Sequence, residues 1–200
     1  PDEFYNELAT NLIHPQTSQP TPGDFRRQYQ YLQTHYESII SIHIPHELSG
    51  TYQSALNASK RVENAKISIL DGLSASVGLG LIVMKAAEMA NDGKTHNEIH
   101  NALPNIIKST DIFLLVKDLS YIVKGGRLPG WVKKVADFLH IRPVLTTKDN
   151  GSMGAAGIIK GTSNLSEKMS KFVLSKLDSN KSYNISIGHC NVKEDGEKLM

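Results

Sequence analysis

Two short turns of this chain carry hydroxyl side chains where a chain bend meets the predicted start of a helix. They are residues 17–20, Thr-Ser-Gln-Pro, and residues 48–51, Leu-Ser-Gly-Thr. The amide groups that open a helix have no partner within it, so hydroxyl and amide hydrogens can hold an anion together there. Neither turn contains a carboxylate. Paired across a cleft, the two turns would bind one small acidic head group such as a carboxylate.

Alternating strands and helices surround these turns. Hydrophobic patterns predict strands at residues 38–44 and 66–70, with a helix over residues 51–63 between them. This alternation is typical of βαβ units and of a largely parallel sheet. Ligands of such sheets bind at the carboxyl ends of the strands, and Ser49 follows the first strand at such a place.

Capping signals predict where the other helices of this region begin. Thr21, followed by Pro22 and by Asp24 three positions on, is a predicted N-cap. Thr95 and Glu98 form a predicted capping box. Ser74 is the predicted N-cap of a long helix that ends near residue 91.

The second half of the chain has a different pattern of predicted strands and helices, with signs of antiparallel pairing. Asp-Asn-Gly at residues 149–151 predicts a hairpin turn. The fold class is therefore α/β with two lobes: an N-terminal lobe over residues 1–110 with a largely parallel sheet flanked by helices, and a C-terminal α+β lobe over residues 111–200 with some antiparallel pairing. The predicted strands of the second lobe are residues 111–116, 142–147, 152–160 and 183–188; its predicted helices are 118–124, 131–139, 162–177 and 193–200.

Composition excludes several classes of protein. The 200 residues are 40% hydrophobic with a formal net charge of +2, and the sequence lacks the basic stripe with interleaved aromatics that nucleic-acid binding requires. No apolar run approaches the roughly 20 residues that span a bilayer, so stable membrane insertion is not expected. The single cysteine, Cys190, fits a reducing compartment. We expect a cytoplasmic location and, because the chain begins at Pro1, a fragment of a longer protein.

Four motifs in register resemble the DegV family of fatty-acid-binding proteins. They are Thr-Ser-Gln-Pro at 17–20, Leu-Ser-Gly-Thr-Tyr-Gln-Ser-Ala at 48–55, Gly-Gly-Arg-Leu at 125–128 and Gly-His at 188–189. The resemblance runs over the whole chain. Some members of the family act as the acyl-carrying subunit of a bacterial fatty-acid kinase. The family's opening strand and its final strands would lie outside residues 1–200, which implies a fragment lacking both ends.

The resemblance implies a lipid-binding carrier that is not itself an enzyme and needs no cofactor. A long-chain fatty acid such as palmitate would lie in a tunnel between the two lobes and be presented to a partner kinase, which would supply all the ATP chemistry. The implied residues are Thr17 and Ser49 on the carboxylate, Ser18, Gly50 and Thr51 lining the pocket, His189 closing the site from the second lobe, and Arg127 near the kinase docking surface. One departure is Lys160 before Gly161, where the family often has an arginine; a lysine lacks the two-pronged contact of an arginine.

Several alternatives remain open from the residues alone. Ser49 and His189 could form an acyl-ester or acyl-phosphate hydrolase, although the sequence has no Gly-x-Ser-x-Gly elbow. A regulatory domain that senses a lipid is a third possibility. His96 and His100 lie four positions apart and could share a metal; we expect them, and also His43 and His46, to be surface residues instead, and we predict no metal site.

Glycines on the long predicted helix also allow two interpretations. Gly78 and Gly80 could let an acyl chain pass close to the backbone, or they could permit tight packing of the helix against the sheet.

Overall fold

The computed structural model describes residues 2–10 and 14–199. The described chain folds into two compact units. The parallel unit comprises Gln19–Ile112 and Thr146–Gly154, and the antiparallel unit comprises the described residues of Pro1–Ser18, Phe113–Leu145 and Ala155–Met200. The division into domains 1–110 and 111–200 stays a prediction.

A two-stranded parallel sheet forms the centre of the parallel unit. Strand β1 (Ser38–His43) pairs with β2 (Lys66–Asp71), and the register runs from Ser38 opposite Lys66 to His43 opposite Asp71. Helix α3 (Thr51–Ser59) connects the two strands. The predicted βαβ unit is confirmed, and both strands end at the same edge of the sheet.

Helices cover both faces of this sheet, as a parallel sheet requires. On one face Ile39, Ile67 and Ile69 pack with the buried residues Tyr29, Ala55, Ala58 and Val62. On the other face Ile40, Ile42 and Leu70 pack with the buried residues Ile82, Ile99 and Leu103. The covering helices are α2 (Pro22–Leu32), α3, α4 (Ser76–Asn91) and α5 (His96–Lys108).

Two of the three predicted N-caps are confirmed. The hydroxyl of Thr21 accepts a hydrogen bond from the backbone N–H of Asp24, and the hydroxyl of Thr95 accepts one from the backbone N–H of Glu98. In both cases the acidic side chain accepts a hydrogen bond from the backbone N–H of the capping threonine. The third prediction is wrong, because Ala75 is the N-cap of α4. Ser74 is 1% exposed, and its hydroxyl packs against Gly78 in the first turn of α4.

The two glycines of α4 have different surroundings. A Cβ at Gly78 would meet Ser74 and, at 3.3 Å, the Cβ of Ile112, so Gly78 permits close packing. At Gly80 an added Cβ would find nothing within 4 Å. Of the two interpretations, packing therefore accounts for Gly78.

The antiparallel unit contains most of a three-stranded sheet in the order β3-β4-β5. Leu114 and Leu115 of β3 pair antiparallel with Leu145 and Val144 of β4. The elements that lie wholly or mostly in this unit are α1 (Asp2–Thr10), β3 (Leu114–Leu115), α6 (Ser120–Lys124), α7 (Gly130–Phe138), β4 (Ile141–Thr147), β5 (Met153–Lys160), α8 (Leu165–Leu174) and α9 (Lys193–Glu197). The core under the sheet is formed by Val144, Ile159 and Met169.

The predicted strand at residues 183–188 is wrong, since the structure has irregular chain there. Tyr183 and Ile185 are 44% and 63% exposed. Alternating hydrophobicity alone does not make a strand, because a strand also needs a neighbour that accepts and donates its ladder hydrogen bonds. The strand predicted at residues 111–116 is shorter in the structure, where β3 comprises only Leu114 and Leu115.

Candidate ligand-binding site

The turn that carries Ser49 follows β1 and leads directly into α3. The amides of Leu48 and Ser49 both donate to the carbonyl oxygen of Pro45, at 2.9 and 3.1 Å. Helix α3 begins at Thr51, and its N-cap residue, Gly50, has no side chain that could accept the first amides. The turn therefore brings hydroxyl groups to a helix N-terminus at the carboxyl end of the sheet, as predicted.

Two hydroxyl groups of this turn contact each other. Ser49 Oγ lies 2.8 Å from Thr51 Oγ1 and accepts the Thr51 amide at 3.3 Å. Both residues are half-buried. A hydroxyl pair of this kind has hydrogens that can turn toward a bound anion.

Gln19, from the other hydroxyl-bearing turn, packs on Gly50. A Cβ at Gly50 would lie only 2.9 Å from Gln19 Nε2 and 3.0 Å from its Cδ, so any larger residue at this position would require the Gln19 side chain to move. Thr17 and Ser18 are exposed and belong to the antiparallel unit. Their predicted role beside Ser49 stays a prediction.

His43, at the carboxyl end of β1, is buried, and the prediction of a surface histidine is wrong. Its Nε2 lies 2.8 Å from Ser41 Oγ, which lies 2.8 Å from the hydroxyl of Tyr29. The ring of Phe25 meets the imidazole edge-on. Burial lowers the pKa of His43, with the nearby Asp71 opposing this effect, so the imidazole is neutral and serves this hydrogen-bonded chain.

His46 lies in the Ser49 turn and is half-exposed, as predicted for a surface residue. Its Nδ1 is 2.5 Å from Asp71 Oδ2, and its Nε2 is 3.3 Å from Glu47 Oε1. The hydrogen bond with Asp71 raises the pKa of His46 above its usual value, while partial burial opposes this. The raised pKa favours the protonated, positively charged form of the imidazole, three positions before Ser49 in the sequence.

The tip of the β4–β5 hairpin packs on the turns at this end of the sheet. Gly151 is buried, has a φ of +83°, and closes the predicted turn by donating to the carbonyl of Lys148. A Cβ there would lie 2.7 Å from Pro45 Cβ and 3.2 Å from Leu73 Cδ2. Only glycine combines this conformation with so close an approach.

Arg127 lies at a helix end in the antiparallel unit. The amide of Gly126 donates to Val123 and that of Arg127 to Ile122, which is the Schellman arrangement at the C-terminus of α6. Gly126 has a φ of +77°, a left-handed backbone conformation that favours glycine. The Arg127 side chain is exposed and donates to the carbonyl of Gly125.

His189 is exposed and lies against α9, where a Cβ at Gly196 would be 3.3 Å from its ring. Asp195 anchors this helix through an ion pair with Lys117 at 2.6 Å and a hydrogen bond from Ser166 at 3.5 Å. His189 and Ser49 belong to different units. The hydroxyl of Ser49 has its own partner in Thr51, and the predicted role of His189 at the ligand stays a prediction.

His96 and His100 have parallel rings 6.4 Å apart, and His96 Nε2 pairs with Ser68 Oγ at 2.8 Å. Burial, followed by the charges of Lys66 and His100, lowers the pKa of His96. Over residues 2–10 and 14–199, no group of three or more histidine, cysteine, aspartate or glutamate side chains is arranged to hold a metal ion. Within the same ranges, no helix has both the length and the apolar character to cross a membrane.

Sequence comparison matches residues 1–200 to the family described as "DegV: Uncharacterised protein, DegV family COG1307". A DegV domain-containing protein of Staphylococcus aureus, SA0704, is 34% identical over 149 residues, which is 74% of this chain and 52% of that protein. The chain thus spans about half the length of this relative.

Solved structures show the same fold. A fatty-acid-binding DegV family protein from Thermus thermophilus has a TM-score of 0.76 and 29% identity, over 88% of this chain and 60% of that one. The Fak B3 protein of the Streptococcus pneumoniae fatty acid kinase, solved with linoleic acid, has a TM-score of 0.77 over 88% of this chain and 62% of that one. At 21% identity, the second likeness shows the fold alone.

Proposed function

The chain belongs to the DegV family, and from this premise we propose that it binds a long-chain fatty acid and presents the carboxyl group to a partner kinase. Thr17 and Ser49 hold the carboxylate, and Ser18, Gly50, Thr51 and His189 complete the pocket. The observation that carries the proposal is the Ser49 turn, where hydroxyl and amide groups gather at the start of α3. The Thermus relative binds a fatty acid by its own description.

Physical chemistry supports an acyl ligand with this head-group site. A carboxylate removed from water needs hydrogen-bond donors, and hydroxyl groups with helix N-terminal amides supply them without a fixed cation. The tail contributes about 0.8 kcal/mol per buried methylene, or roughly 11 kcal/mol for about fourteen methylenes before ordering costs. Burial of the tail therefore dominates the affinity, and the head group sets the orientation.

Mass spectrometry of the protein purified without added lipid tests the ligand class. We expect a fatty acid in a one-to-one ratio, released on denaturation and identified by its mass. The absence of bound lipid, together with no binding of added palmitate, would overturn the proposal.

Presentation to a kinase is tested at Arg127. The exposed bend that carries it continues into α7, where Trp131 is 65% exposed. The variant Arg127→Ala should retain bound fatty acid yet reduce acyl-phosphate formation by an ATP-dependent fatty-acid kinase, since a lost charge-assisted contact costs about 1.5–3 kcal/mol. Phosphorus NMR or hydroxamate trapping measures the product.

Arg61→Ala provides the matched control, because Arg61 is also an exposed arginine but lies in the parallel unit. It should leave both lipid binding and acyl-phosphate formation unchanged. Loss of the fatty acid from Arg127→Ala would instead assign the arginine to the pocket or to the fold.

A further inference from the structure

The carboxylate of Asp71 joins two turns at the carboxyl end of the parallel sheet. Its Oδ2 accepts the backbone N–H of His46 at 3.1 Å and lies 2.5 Å from the imidazole Nδ1 of the same residue. Its Oδ1 accepts the amide of Leu73 at 3.0 Å. One side chain therefore ties the turn that carries Ser49 to the turn that follows β2.

This tie acts close to the proposed head-group site. The Asp71 side chain is only 16% exposed, so its hydrogen bonds are shielded from competing water. His46 precedes Ser49 by three positions, and the Ser49 amide closes the same turn on Pro45. A displacement of His46 would therefore be passed on to the Ser49 hydroxyl and to the first amides of α3.

The charge of Asp71 needs compensation if an anion binds nearby. An ionised carboxylate repels a second carboxylate, whereas a protonated imidazole nearby offsets the repulsion. Hydrogen bonding to Asp71 raises the pKa of His46, and Glu47 contributes in the same direction. The titratable groups that contact this pair or lie opposite it are His43, opposite Asp71 in the sheet, Glu47 in the turn and Tyr52 on α3. Lys148 and Asp149 belong to the hairpin whose Gly151 packs against Pro45.

We infer that Asp71 is a positioning residue for the Ser49 turn and that its pair with His46 couples protonation of the histidine to binding of an anionic head group. This inference rests on the proposed fatty-acid function. A carboxylate bound beside protonated His46 raises the pKa of the imidazole further. By linkage, affinity for the anion is highest below that pKa and falls as the pH rises through it.

Calorimetric titration with laurate between about pH 6 and pH 8.5 tests the coupling. We expect the affinity of the wild-type protein to fall by about threefold or more across this range. His46→Gln should bind laurate with a nearly flat profile, while His35→Gln, which alters an exposed histidine, should keep the wild-type profile. NMR titration should give His46 a higher pKa with laurate bound than without.

A second pair of variants tests positioning. Asp71→Ala should weaken laurate binding by about tenfold at pH 6.5, because the backbone N–H groups of both turns lose their acceptor. Asp71→Asn should lose less affinity, since its amide oxygen still accepts one of them, but it should lose the pH dependence. The amide resonance of Ser49 should shift in Asp71→Ala and stay in place in Asp149→Ala.

The outcomes separate the two proposals. Equal pH profiles for the wild-type protein and His46→Gln would overturn the coupling, and an unmoved Ser49 resonance in Asp71→Ala would overturn the positioning role. Failure of the wild-type protein to bind laurate at any pH would overturn the fatty-acid function and the coupling with it. The Ser49 resonance of the lipid-free variants would then decide the positioning role by itself.

Discussion

The double variant Thr17→Ala/Ser49→Ala should bind a fatty acid with much lower affinity than the wild-type protein, because its carboxylate loses two hydrogen-bond donors. In the proposed site each hydroxyl would donate to the bound carboxylate, and removal of one donor from a buried charge costs roughly 1–3 kcal/mol. We expect each single variant to weaken binding by that amount and the double variant by more than either. Displacement of a fluorescent fatty acid measures the affinities.

The two single variants and the double variant form a thermodynamic cycle. If both hydroxyls hold the same head group, their effects are coupled and the double variant departs from the sum of the singles. Thr34→Ala/Ser59→Ala provides the matched control, because these hydroxyls donate to the backbone carbonyls of Tyr31 and Leu56. An unchanged affinity in Thr17→Ala/Ser49→Ala would rule out the head-group assignment.

Gly72→Ala should destabilise the parallel unit at the place where its strands end. The amide of Gly72 donates to the carbonyl oxygen of His43 at 2.8 Å, and an added Cβ would lie 2.8 Å from that same oxygen and 2.5 Å from Leu79 Cδ1. The leucine can turn aside, but the backbone oxygen is held by the sheet. We expect the free energy of unfolding to fall by about 1–3 kcal/mol, as measured by denaturant titration.

Gly80→Ala is the matched control for this substitution. Gly80 lies inside α4, where an added Cβ meets nothing within 4 Å, so alanine should raise the free energy of unfolding by about 0.5–1 kcal/mol through helix propensity. A stabilised Gly72→Ala would show that the two strand ends are not held together as described.

The sequence by itself determined the features that depend on neighbouring residues. The capping boxes of α2 and α5, the Asp-Asn-Gly hairpin turn and the glycine bend after α6 were all predictable, because each is formed by hydrogen bonds within a few positions. The parallel βαβ unit was predictable as well, since strand and helix periods alternate over short segments. Four motifs in register identified the family.

Only the tertiary structure decided which side chains meet across long separations. The burial of His43, the pairing of His46 with Asp71 and the packing of Gly151 on Pro45 join residues from separate elements, and no local pattern encodes them. The strand predicted at residues 183–188 did not form for a related reason. Its local pattern is that of a strand, but a strand also needs a neighbouring strand to pair with, and the local pattern does not encode one. Local hydrogen bonds follow from short-range chemistry, whereas burial and partnership follow from how distant segments pack, and the surroundings of Ser49 belong to the second kind.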